Sequence, residues 1–419
     1  MSLSWRLLLA FAGTSLLSLS VAAAQLEPSR RAPPFKELLR SVDGYAPRLK
    51  ELEANVEVAQ GNARQARAWL NPGVSVEVED VAGTSVYRGS SQAQTTFAIS
   101  QPLEIGGQHG ARAEAGRAAL RLAQAEDAVG HVEFAYELAV AYAVAEGSER
   151  RVALVGEQLQ LADEDRRAAR ALVDAGREAE LRAVQAGAVV SSAQAQIEVA
   201  QADRQDALIR LAVLAGEAKG YDGITPSLLE QPRQSGGDVS SADVEGLPDV
   251  RAAAAAVELA DRRLSVERRR VLPTPSVSAG LRRFNGTDDT AWVFGVSVAV
   301  PLFDRNRGGV DAAKGERSAA QAREASARLE GEAQLGATVL RLRASERRVA
   351  AALEAERASR EAYELARTAY EAGRIALIEM LTTRRAWTDA QLALVDARVA
   401  RVTTTALLAR LGGRIPFVE

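Results

Sequence analysis

The chain has 419 residues, a formal net charge of -3, 47% hydrophobic and 5% aromatic residues, and no cysteine. A near-neutral balance offers a polyanion such as nucleic acid nothing to hold. Without cysteine there is no disulfide, thiolate metal site, Cys nucleophile or lipid-modified N-terminal Cys. Few aromatics among abundant Ala, Leu, Glu, Arg and Gln favour long thin helices over thick globular cores.

In chain order, residues 1–24 carry Arg6 as a basic n-region, Leu7 to Leu19 as an apolar core, and Ala22-Ala23-Ala24 as a small-residue cleavage site. This is the pattern of a secretory signal peptide. No later stretch approaches the roughly 18 apolar residues of a membrane helix. A closed sheet is then the remaining way to cross a bilayer. Residues 25–40, with Pro28, Pro33 and Pro34, read as an extended segment.

A first repeat, 41–215, opens with helix to about Leu70, stopped by Asn71-Pro72. A hairpin follows at about 73–103. Val74, Val76 and Val78 alternate with Ser75, Glu77 and Glu79; after a Gly/Ser turn, Thr95, Phe97 and Ile99 alternate with Thr96, Ala98 and Ser100. Strands with one apolar and one polar face fit a transmembrane β-barrel. Taken alone, this hairpin fits a soluble ribbon packed on helices equally well. Pro102 closes the strand, Gly106-Gly107 turns the chain, and a proline-free helix runs to about Val173. Val152, Val155, Leu159, Ala162, Ala169 and Val173 form a coiled-coil seam in it. Asp174-Ala175-Gly176-Arg177 breaks the helix with a glycine in a C-cap-like place. Helix returns to about Ala215, and the Gly/Pro-rich 216–246 segment reads as a linker or side domain.

The second repeat, 247–412, retraces the first. A helix leads to Pro273 and Pro275, and a hairpin occupies about 275–302. Val277, Ala279 and Leu281 share one face, as do Trp292, Phe294, Val296, Val298 and Val300. Pro301 parallels Pro102, and Gly373 parallels Gly176. A seam of Leu335, Val339, Leu342, Val349 and Leu353 is expected in the long helix between them, and residues 413–419 form a tail. Pro47/Pro248, Pro72/Pro275, Pro102/Pro301 and Gly176/Gly373 lie 201, 203, 199 and 197 residues apart. Matching landmarks at near-constant offset indicate a tandem duplication. Two ambiguous hairpins in equivalent places favour the barrel. Four strands cannot close one, so several chains must contribute.

The fold class expected is mainly α with a β-barrel contribution: coiled-coil helices plus two hairpins per chain. Its motifs, Leu70-Asn71-Pro72 with the Val/Glu alternation, Gln101-Pro102-Leu103-Glu104, and Pro301-Leu302-Phe303-Asp304-Arg305-Asn306-Arg307-Gly308, resemble the TolC-type outer-membrane efflux proteins. The resemblance covers about residues 40 to 412. The last motif is most similar to the branch serving heavy-metal (cobalt-zinc-cadmium type) exporters of the resistance-nodulation-division class. The resemblance implies a homotrimer whose 12-stranded barrel sits in outer-membrane lipid above a periplasmic α-barrel. Its implied partners are a periplasmic adaptor and an inner-membrane pump.

The resemblance also places the periplasmic tips at 174–181 and 372–381. Glu379 matches an aperture acid of some relatives, Thr382 stands where a second acid would be, and Asp174 lies at the other tip. Glu77 and Glu79 would face the barrel lumen if the valines face lipid. His109 and His131, the only histidines, share no ligand spacing, so neither a metal site nor a cofactor is expected. No catalytic motif is present, and an enzyme is not expected. The competing functions are the same duct for drug efflux or type I secretion, and a soluble periplasmic coiled-coil scaffold.

Overall fold

A computed structural model describes residues 30–42, 44–230 and 244–418. The signal-peptide reading of 1–24 and the centre of the 216–246 segment lie outside them. β1 (Arg31–Ala32) leads into α1 (Phe35–Val42), within the stretch expected to be extended. The prolines precede the helix rather than interrupt it, where a missing N–H costs nothing. Pro34 O accepts the N–H groups of Glu37 and Leu38. Phe35, Leu38 and Val42, buried at helical spacing, hold α1 down.

α2 (Pro47–Ala66) ends four residues before Leu70. β2 (Gly73–Glu79) and β3 (Gln94–Pro102) form the first hairpin. α3 (Gln108–Asp174) has 67 residues, about 100 Å of helix. α4 (Glu180–Leu214) returns antiparallel beside it. β4 (Gly223–Ile224) pairs in parallel with β1 and ties the start of the described chain to its middle. α5 (Pro248–Arg270), β5 (Ser276–Phe284), β6 (Asp289–Ser297), the 65-residue α6 (Arg307–Glu371) and α7 (Leu377–Leu411) then repeat the order of the first half.

The long helices touch through alanine. Ala162, Ala169, Ala193, Ala200, Ala313 and Ala320 are buried, and small side chains let the axes approach. At Gly147 α3 and α7 lie close together, since a Cβ there would lie 2.7 Å from Val399 Cγ2. In α6 the buried row matches the apolar one expected only in part: Leu335 is buried and Val339, Leu342 and Val349 are half-buried. Thr338 and Ser345 are buried, whereas Leu353 is exposed. The Ser345 hydroxyl donates to Leu342 O at 2.8 Å, which satisfies it inside the seam. Serine and threonine are smaller than leucine, so both fit where the helices lie close.

The thick core lies midway along the rod. Phe35, Leu38, Leu138, Tyr142, Leu208, Leu211, Ile224, Leu228, Val402 and Phe417 meet there, bringing α1, α3, α4, the 221–229 segment and the C-terminal residues together. The Phe35 ring meets Tyr142 and Phe417 edge-on at 5.6 and 6.0 Å.

The four long strands make one antiparallel sheet in the order β2-β3-β5-β6. Its central pair, β3 with β5, joins the two halves, with Phe97 opposite Leu281. Gly280 is required here, because a Cβ would fall 2.5 Å from Phe97 O.

Candidate functional site

The register sorts the sheet into two faces. On one, Val76, Phe97, Leu281 and Trp292 form a row across all four strands, flanked by Val74, Ile99, Ala279 and Phe294. Val74 and Phe294 are 79% and 76% exposed. So wide an exposed apolar face marks contact with lipid or protein. The other face carries Ser75, Glu77, Thr96, Ser100, Ser278, Gly280, Arg282 and Gly295. Strands of seven to nine residues are near membrane-spanning length. Among the described residues no helix is long and apolar enough to cross a membrane.

Glu77 and Glu79 share the polar face but not one environment. Arg282 Nη2 lies 2.9 Å from Glu79 Oε2, while its Nε and Nη1 donate to Thr96 Oγ1 and Gln94 Oε1 at 2.9 and 3.2 Å. Arg282 staples three strands and neutralises Glu79, leaving Glu77 as the exposed acid of the pair. The sequence reading missed Arg282; its parity with Gly280 and Ser278 was the available signal.

The turn landmarks work through backbone geometry. Gly107 caps α3 at φ 76°, and Asn306 occupies the same place before α6 at φ 51°. Gly176 and Gly373, at φ 70° and 69°, close α3 and α6. Arg177 N donates to Leu172 O and Arg374 N to Ala369 O, both at about the same length, 2.9 and 2.8 Å. These left-handed caps turn each helical hairpin within a few residues. Pro72 and Pro275 precede the strands β2 and β5. Pro102 ends β3, and Leu103 N donates to Pro275 O. Gly106 abuts Leu272. Pro301 lies past the end of β6.

At the tips, Asp174 ends α3 and is paired with Arg170 at 3.1 Å; Arg170 also donates to Glu180 across the turn. Glu379 stands exposed in the first turn of α7, where the helix dipole favours an acid. Thr382 bonds back to Ile378 O. The structure adds residues without a local sequence mark. Arg384 of α7 reaches Asp165 of α3 at 2.6 Å, with both side chains largely shielded. Burial pushes the Asp165 carboxyl up in pKa despite this arginine. Trp387 Nε1 donates to the buried Glu356 at 3.0 Å and stacks on Tyr363. Burial works to raise the pKa of Glu356, but the Trp387 and Arg360 hydrogen bonds outweigh it and hold it low.

His109 stacks on Trp69 with ring centroids 4.3 Å apart and bonds Arg67 O. His131 bonds Asp127 O. Among the described residues no group of three or more His, Asp or Glu could hold a metal ion.

A one-sided antiparallel sheet set on two coiled-coil helical hairpins defines the class of outer-membrane channel subunits. The chain belongs to the outer membrane efflux protein family, whose model matches residues 38–217 and 244–414. It is 43% identical over 408 residues to the nickel-cobalt-cadmium resistance protein NccC of Alcaligenes xylosoxydans xylosoxydans, covering 97% of this chain and 92% of that one. The nickel and cobalt resistance protein CnrC of Cupriavidus metallidurans is 42% identical over 409 residues, covering 98% and 96%. The CmeC outer membrane channel of Campylobacter jejuni matches in fold with a TM-score of 0.79 at 15% identity, over 100% of this chain and 96% of that one. The family is one of efflux proteins, not enzymes.

Proposed function

We propose that this chain is the passive outer-membrane duct of a heavy-metal efflux system. Three copies close a barrel, and a periplasmic adaptor joins the helical end to an inner-membrane pump of the resistance-nodulation-division type. The observation that carries this reading is the four-stranded sheet: one face apolar and exposed, the other polar, and both edge strands without a strand partner among the described residues. Such a sheet satisfies its backbone only by joining other sheets, and its outer face suits hydrocarbon. The N-terminal 24 residues serve as the export signal. The cargo is a divalent cation of the nickel, cobalt and cadmium kind, as the names of the two close relatives suggest. Among the described residues no cluster of three or more potential metal ligands forms, which suits a passage that must release its cargo.

A deletion strain tests the cargo. It is expected to lose resistance to nickel, cobalt or cadmium and to keep its resistance to dyes; the reverse pattern would move the duct to drug export. Purified protein in a planar bilayer is expected to give ion currents. A soluble scaffold would give none.

Within this duct, three copies of Glu379 converge at the tip and attract cations. Asp174, already paired with Arg170, contributes less charge, and Glu77 lines the barrel lumen. Glu379→Ala is expected to raise single-channel conductance and to weaken cation selectivity. Unaltered conductance and selectivity would remove Glu379 from the aperture.

A further inference from the structure

The two halves of the chain already contain one copy of the contact by which neighbouring subunits would meet. β2 aligns with β5 through Pro72-Gly73-Val74-Ser75 and Pro275-Ser276-Val277-Ser278, a shift of 203 residues. β3 aligns with β6 through Phe97-Ala98-Ile99-Ser100 and Phe294-Gly295-Val296-Ser297, a shift of 197 residues. The hairpin registers bear out both shifts together. Gly73 pairs with Ser100 in the first hairpin, and Ser276, its counterpart, pairs with Ser297 in the second. The proline closing the second hairpin comes two residues later than this shift requires. The second half therefore carries two extra residues between Ser297 and Pro301.

Where the halves meet inside one chain, β3 pairs antiparallel with β5. Ser100 lies opposite Ser278, Ile99 opposite Ala279, and Gln101 opposite Val277. β6 and β2, the counterparts of β3 and β5, are the two free edges of the sheet. Carrying the inner contact onto these edges fixes a residue-level register.

We propose that β6 of one subunit pairs antiparallel with β2 of the next, with Ser297 opposite Ser75. Val296 then meets Val76 and Val298 meets Val74 on the apolar face. Gly295 meets Glu77 on the polar face, leaving room for the acid. Val298, which lies past the end of β6 in the isolated chain, gains its partner only across this seam. A slip of one residue would set these valines against the serines and Glu77, with every side chain on the wrong face. A slip of two preserves the faces and would follow if Pro301, rather than the strand pairing, set the height; Ala299 would then face Ser75. This proposal rests on the multi-chain barrel described above.

The absence of cysteine makes the register directly measurable, since any disulfide must come from introduced residues. The full chain carrying Ser75→Cys with Ser297→Cys, and a second version carrying Ser75→Cys with Ala299→Cys, would be purified in detergent and oxidised with copper phenanthroline. Directly opposed residues on paired strands meet disulfide geometry, and residues displaced by two do not. Covalent dimers and trimers are expected several-fold more abundantly from the first pair. Should the first pair disturb insertion, Gly73→Cys with Ala299→Cys reads the same register. Preferential linkage of Ser75→Cys with Ala299→Cys, or no linkage from an intact trimer, overturns the register and leaves the duct standing. A single-chain mass in detergent overturns the duct reading, and the register with it.

Discussion

Replacing Glu146 with leucine is expected to lower the stability of the folded chain by about 3 kcal/mol or more, the cost of leaving several buried hydrogen-bond donors unpaired. Glu146 sits in α3 at 1% exposure. Its Oε2 accepts the backbone N–H groups of Ser227 and Leu228 at 3.1 and 2.9 Å, and its Oε1 that of Leu229 at 3.3 Å. One carboxylate thus satisfies three consecutive donors in a segment with no regular ladder of its own. Leucine would match the volume but leave those donors buried without acceptors, at roughly 1–3 kcal/mol for each.

Tyr142, one turn earlier on the same helix face, completes the clamp. Its hydroxyl donates to Pro33 O at 3.0 Å and accepts from Ser227 Oγ at 3.1 Å, and it also contacts Thr225 O. Burial pushes its pKa up to about 12, so it stays a neutral donor at any physiological pH. Between them the two side chains hold the 225–229 segment and the start of α1 against the rod. The readout is the thermal midpoint of the helical circular dichroism signal in detergent. Glu146→Leu should drop it by several degrees, and Glu146→Gln, which keeps one acceptor, by less. An unshifted midpoint for Glu146→Leu would mean that these hydrogen bonds contribute nothing net.

The contrast between this clamp and the rest of the chain shows what a sequence makes legible. The strands were legible because a two-residue period repeats over adjacent positions. The long helices were legible from the absence of proline between Gln108 and Val173. Gly176 and Gly373 stood out because a left-handed cap is a local need that glycine meets cheaply. Glu146, Arg282 and the Asp165–Arg384 pair answer needs set by segments far away in the chain. Arg282 and Thr96 are 186 residues apart, and Arg410 and its partner Glu133 are 277 apart. Nothing near an arginine tells which acid it will find. A faint mark did exist for Glu146: it falls four residues after Tyr142, inside the most apolar stretch of α3. An acid on the buried face of such a stretch needs a partner, although its sequence could not name 227–229. The α6 seam was legible only in part. Leu335 is buried as its apolar spacing suggests, whereas Thr338 and Ser345 share the seam with no apolar mark and Leu353 lies outside it.

The sheet supplies the other large effect, and it separates the two faces by one residue type. Phe97 lies near the middle of β3, paired with Val76 on one side and Leu281 on the other, and is 56% exposed. If this face meets hydrocarbon, Phe97→Arg puts a charge near the midplane at about 2–4 kcal/mol per chain, incurred anew in every subunit of the barrel. Added to the lost contact of an aromatic side chain, this is enough to keep the protein out of the outer membrane. The expected result is absence from the outer-membrane fraction, together with the metal sensitivity of a deletion strain. Glu77→Arg makes the matching control. It sits one pairing step away, opposite Thr96, on the polar face, and should insert as the parent does because water covers it. The comparison has a decisive converse. If Phe97→Arg inserts and functions while Glu77→Arg does not, the valine and phenylalanine face is turned inward, and the sheet cannot be the wall of a lipid-embedded barrel.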